Sequence, residues 1–99
     1  MTLKVSVRFF TSLREITGKK EKPLEFSDDE KVTVDKILTT LSSQYGKGFV
    51  DYVYDAESHE VKGFLQFLIN GQSASTMKGL QTELKDDDVL AILPPVGGG

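Results

Sequence analysis

Val89-Leu90-Ala91-Ile92-Leu93-Pro94-Pro95-Val96-Gly97-Gly98-Gly99 closes the sequence, and its reading decides the fold. Every position from Val89 to Leu93 is apolar, whereas a strand with one wet face alternates polar and apolar residues. Such a strand needs cover on both faces of its sheet. The double proline Pro94-Pro95 ends it, because neither ring nitrogen carries a hydrogen to give to a neighbouring strand. Glycines 97–99 lack Cβ atoms and can thread a channel too narrow for side chains. Extended, they reach roughly 10 Å, and the α-carboxylate of Gly99 stands at the end of that reach. Residues 1–96 are expected to form one domain, with 97–99 as a flexible tail presenting that carboxylate. The rival reading of the glycines is a frayed end without a role.

Upstream, Asp86-Asp87-Asp88 marks a polar turn, and Met77, Leu80 and Leu84 are expected to tack a connecting segment onto the core. Phe64 to Ile69 reads as a central strand with few polar interruptions. It runs into Asn70-Gly71, where both residues tolerate positive φ, which predicts a hairpin with a short return strand over Gln72 to Ser75.

The clearest helix starts at Thr33. Its hydroxyl is suited to cap the first turn, Val34, Ile37, Leu38, Leu41 and Tyr45 recur at the spacing of one helical face, and Gly46 stops it. Val32 before the cap and Ile37 inside the helix have the spacing of a hydrophobic staple. Lys36, Thr39, Thr40 and Ser43 form the wet face. Beyond it, Phe49, Tyr52 and Val53 fit one face of a short helix, and 55–60 read as an exposed loop.

At the start of the chain, Leu3, Val5, Val7 and Phe9 alternate with Lys4, Ser6 and Arg8, the period of a half-buried strand. Thr11 to Gly18 reads as a short turn with room for one helical turn. Pro23-Leu24-Glu25-Phe26 then reads as a weaker strand antiparallel to the first, placed by its proline at an edge or at the strand's start. The order is strand, strand, helix, strand, short strand, strand. With the first and last strands as parallel neighbours, this is an α+β fold of the β-grasp type: a mixed four- to five-stranded sheet with one main helix packed on one face. One helix covers one face only. The other, expected to carry Phe10, Phe64, Leu68, Val89, Ala91 and Leu93, is a candidate docking surface.

The 99 residues suffice for one domain, and 38% hydrophobic with 27% charged residues is an ordinary globular composition. The absence of cysteine excludes disulfides, thiolate metal sites and a cysteine nucleophile. No apolar run approaches the ~20 residues of a membrane span and no signal-peptide pattern opens the chain, so a cytoplasmic protein without membrane partners is expected. A net charge of −3 argues against nucleic acid and favours a basic-surfaced protein partner. His59, the sole histidine, lies in a polar loop and reads as solvated. Neither Asp28-Asp29-Glu30 nor Asp86-Asp87-Asp88 has the pattern of a calcium loop, so no metal is expected. No nucleophile-elbow sequence surrounds any serine. Catalysis by side chains is not expected.

Phe9-Phe10 followed by Leu13-Arg14-Glu15 and Gly18, the Thr33-Val34 helix start, Ile69-Asn70-Gly71, and the ending from Leu84-Lys85-Asp86-Asp87-Asp88 through Pro94-Pro95-Val96-Gly97-Gly98-Gly99 together resemble the small subunit of molybdopterin synthase. That subunit is of the MoaD/ThiS type, within the ubiquitin-like proteins. The overall pattern resembles the small archaeal modifier proteins more closely still. Asp87 stands where that family usually has glycine, and the stretch 46–62 is longer than the typical subunit needs. The resemblance implies that an ATP-using, E1-like enzyme adenylates the Gly99 carboxylate. Attack by a lysine amine then yields an isopeptide bond to a target protein, and attack by a persulfide yields a thiocarboxylate for molybdopterin biosynthesis with the synthase large subunit. No cofactor is expected on the chain itself: the ATP site belongs to the partner, because no helix follows the glycines to cradle a phosphate. The alternative from another class is an interaction module whose sheet face binds a partner while the tail is inert.

Overall fold

The computed structural model of the chain describes residues 2–94. The expectations placed on Pro95, Gly97, Gly98 and Gly99 lie outside the described residues. A sheet of five strands, β1 (Thr2–Phe9), β2 (Glu21–Ser27), β3 (Gln66–Ile69), β4 (Gln72–Ser73) and β5 (Val89–Leu93), has the order β2-β1-β5-β3-β4. β5 runs parallel to β1 and antiparallel to β3, so the last strand is the middle one. The face of β5 carrying Leu90 and Ile92 is buried in the core, whereas Val89, Ala91 and Leu93 on the other face stay half-buried. β2 pairs antiparallel with β1 and forms an edge, where Pro23 is tolerated because no further strand requires its missing N–H.

Three helices accompany the sheet: α1 (Ser12–Thr17), α2 (Val34–Tyr45) and α3 (Lys47–Val53). Thr33 is extended and its Oγ1 accepts from the Lys36 N–H at 3.1 Å, a side-chain cap for the first turn of α2. Val34, Ile37, Leu38 and Leu41 are fully buried and share one core cluster with Val5, Val7, Phe9, Leu90 and Ile92 of the sheet. Burial of each large aliphatic side chain there contributes about 1.5–3 kcal/mol. Val32 and Ile37 are both buried, consistent with the staple. α3 adds Phe49 and Val53 to the same core, so the stretch read least clearly from sequence is a short helix followed by an exposed loop. Asp55 organises that loop: its Oδ1 accepts from the N–H groups of Glu57 and Ser58.

Three sequence expectations are corrected. Strand β3 begins at Gln66, not Phe64. Gln66 pairs with Leu93, and continuing that register would oppose Phe64 to Pro95, which has no N–H to give. β4 stops at Ser73, where Ala74 enters a single 3₁₀ turn and becomes the buried residue of that segment. Met77 is 38% exposed and does not anchor the connection; Leu84 does, with Leu80 partly buried beside it. The polar Thr82 is buried with them, its Oγ1 accepting from the Lys78 N–H and its carbonyl from the Val34 N–H.

Candidate functional site

The face of the sheet away from the core is set by the pleat. Along β5 Leu90 and Ile92 are buried, while Val89, Ala91 and Leu93 are half-buried on the other side. The strand register lays out that side in rungs. Pro23, Ser6 and Val89 form one; Glu21, Arg8, Ala91, Leu68 and Ser73 form the next. Phe10, one residue beyond Phe9 opposite Ile92, stands beside Leu93, whose other neighbour is Gln66. Ala91 sits between Arg8 and Leu68 and contributes only a methyl. The result is a groove of about 370 Å³ bounded by Arg8, Phe10, Leu68, Val89, Ala91 and Leu93, with the Asn70-Gly71 turn at one end.

Phe10, Leu68, Val89, Ala91 and Leu93, named from sequence, therefore share one surface. Phe64 does not line it: it lies in the turn before β3, 51% exposed, with the Lys62 ammonium 5.8 Å from its ring centre. Pro94 is described, half-buried, directly after β5, so the base of the tail adjoins the Phe10–Leu93 end of the groove.

Arg8 and Arg14 were not picked out from the sequence. Their guanidinium carbons lie 5.9 and 5.4 Å from the centre of the Phe10 ring. The Arg14 Nε also donates to the Phe9 carbonyl at 2.9 Å, which fixes the guanidinium over the strand end. The signal for Arg8 was available: it occupies an even position of a strand whose odd positions are core.

The opposite end of β5 is pinned by polar groups. Asn70 and Gly71 have φ of 51° and 88°, both in the left-handed region the two-residue hairpin requires. The Asn70 backbone donates to the Val89 carbonyl at 2.9 Å, its Oδ1 accepts from the Val89 N–H at 3.0 Å, and its Nδ2 donates to Asp88 Oδ1 at 2.8 Å. Asp88 Oδ2 accepts from the Lys85 N–H, and Asp86 Oδ1 from the Lys4 N–H at 2.8 Å. Asp87, at φ 71°, holds the left-handed position that glycine usually takes in the family resembled. The acidic run thus ties β5 to β1 and β3. Among the described residues no group of three or more histidine, aspartate or glutamate side chains could hold a metal ion.

Two carboxylates are held below their usual range. For Glu30 the main cause is the hydrogen bond from the Ser27 N–H, followed by the Lys36 ammonium; for Asp55 it is the two loop N–H groups. Burial pushes the Tyr54 phenol up.

Comparison with known proteins decides the family, since the ThiS family model matches residues 7–99. The chain belongs to the ThiS family. Small archaeal modifier protein 3 of Haloferax volcanii is 32% identical over 97 residues, covering 98% of this chain and 100% of that one. An Archaeoglobus fulgidus protein named as a sulfur carrier is 32% identical over 72 residues, 73% of this chain and 80% of its own. The solution structure of small archaeal modifier protein 1 from Methanosarcina acetivorans superposes with a TM-score of 0.80 at 32% identity, covering 100% of this chain and 99% of that one. The fold is the ubiquitin-like β-grasp. Homologues of this ThiS-family chain are small ubiquitin-like modifiers and sulfur carriers. Among its described residues no helix is long and apolar enough to cross a membrane.

Proposed function

We propose that this chain is a ubiquitin-like protein modifier and sulfur carrier that acts through the Gly99 carboxylate. A carboxylate is a poor acyl donor. On an E1-like enzyme an oxygen of the Gly99 carboxylate would attack the α-phosphorus of ATP, pyrophosphate leaving, to give an acyl adenylate. A target lysine amine attacking the acyl carbon expels AMP and leaves an isopeptide bond. A persulfide attacking the same carbon expels AMP and gives an acyl disulfide; a second thiol then attacks the sulfur of that disulfide borne by the persulfide's carrier, forming a new disulfide and releasing the thiocarboxylate, which serves sulfur delivery such as that to a molybdopterin synthase large subunit. On this reading the catalytic side chains and the ATP site belong to the activating enzyme. An ATP-dependent activation fits a reaction in the cytoplasm.

The observation that supports this reading is the shared strand: β5 carries an open apolar surface at Val89, Ala91 and Leu93 and ends at the Pro94 that starts the tail. A partner seated on that surface meets the tail base without searching for it, which converts tail capture into an intramolecular event. The family match through residue 99 includes the glycines.

The test is ATP–pyrophosphate exchange by the E1-like enzyme of the same organism, with this chain as the acyl substrate. The full chain should support exchange, and both removal of Gly98-Gly99 and Leu68→Asp should abolish it. No exchange with the full chain would hand the molecule to the inert-tail interaction module.

A further inference from the structure

Resting on that reading, we infer that the partner surface seated on this face carries carboxylates opposite Arg8 and Arg14, around an apolar knob that fills the notch over Ala91. The overall charge of −3 would steer a basic partner toward the chain from a distance. At the groove the sign reverses. Arg8 lines it, and Arg14 meets it through Phe10, the ring both guanidinium groups approach within 6 Å. The rest of the wall is apolar or neutral, with no acidic side chain lining it.

The carboxylates around the groove do not answer the two arginines. Glu21 faces Arg8 across the β1–β2 pair and Glu15 follows Arg14 on α1, yet among the described residues neither arginine forms an ion pair. Asp88, at the far end, is engaged by Asn70 Nδ2 and the Lys85 N–H. Two like charges beside one ring repel each other, and a carboxylate placed between them relieves that repulsion. Guanidinium groups match carboxylates with two parallel N–H donors, and Arg14 is already ordered by its bond to the Phe9 carbonyl, so little conformational freedom is lost on pairing. A basic surface covering the exposed Arg8 and Arg14 would set like charges against one another, a juxtaposition that costs several kcal/mol. The notch selects shape in the same place: Ala91 offers only a methyl between Arg8 and Leu68, leaving room for an aliphatic or aromatic side chain.

The exchange assay with the same organism's E1-like enzyme also tests this, now read as KM and kcat across a salt series. Arg8→Glu should raise KM about tenfold or more, the size of one lost interfacial charge pair, and leave kcat unchanged. Arg8→Lys should recover part of the loss. Lys78→Glu, which changes net charge equally on an exposed residue outside this groove, should behave as the parent. Parent KM should climb with salt more steeply than that of Arg8→Glu. Ala91→Leu should raise KM by filling the notch. An Arg8→Glu KM equal to or below the parent's overturns the inference. Leu68→Asp separates it from the docking reading: if that variant binds normally, the face itself is not used, whatever Arg8 does.

Discussion

Replacing Asn70 with glycine isolates the side-chain clamp that holds the start of β5. Glycine keeps the φ of 51° accessible and retains the backbone bond to Val89, so only the bonds made by Oδ1 and Nδ2 are lost. The bond from the Val89 N–H is worth about 1 kcal/mol. The bond to the Asp88 carboxylate is charge-assisted, but the site is exposed and solvent screening brings it down to about 1 kcal/mol as well. Relief of left-handed strain and the added freedom of glycine in the unfolded chain are each below about 1 kcal/mol and oppose one another. Asn70→Gly should therefore lower unfolding free energy by about 2 kcal/mol, or roughly 8–16 °C in midpoint for a domain of this size. Urea unfolding at neutral pH measures it. A double-mutant cycle with Asp88→Ala should return a coupling of about 1 kcal/mol. A loss below about 0.5 kcal/mol, with no coupling to Asp88, would refute the clamp and leave β5 positioned by its ladder bonds alone.

The Tyr45 hydroxyl is buried without a hydrogen-bond partner among the described residues, while its ring lies 6.3 Å, centroid to centroid, from each of the Phe9 and Phe49 rings. Tyr45→Phe should raise stability in the same urea assay by about 1 kcal/mol, since the ring stays and the unpaired hydroxyl goes. Glu30 and Asp55 have folded-state pKa values below their unfolded ones, so what they add is present above the unfolded values and is lost as pH falls through the folded ones. Carboxyl titration by NMR should show both below the ordinary range, and Asp55→Ala should flatten the acid limb of the stability curve. Removing Gly98-Gly99 should leave the thermal midpoint nearly unchanged while abolishing exchange; a large fall would show that the glycines pack on the domain.

Much of this architecture was legible because local chemistry and tertiary packing agree. Thr33 caps, Asn70-Gly71 turns, Gly18 closes α1 in the left-handed region at φ 73°, and the unbroken apolar run of β5 is a strand parallel to β1. Failures fell where a non-local partner decides. Phe64 continues the apolar pattern of β3, but its pairing depends on prolines some thirty residues away. Met77 looks like an anchor by composition, whereas the buried positions of that segment include Ala74 and the hydrogen-bonded Thr82, which carry little or no hydrophobic signal. The arginines were missed because charge was read as a sum over the chain. Only the register shows that Arg8 shares a rung with Ala91 and Leu68.

The central claim concerns the carboxylate of Gly99, and mass spectrometry of protein drawn from its native cells tests it most directly. Intact-mass analysis should find a fraction with one oxygen-to-sulfur exchange at the C-terminus, and peptide analysis should find lysines of other proteins carrying glycine remnants of this tail. An unmodified carboxylate throughout, with no remnant-bearing lysine under several growth conditions, would contradict it.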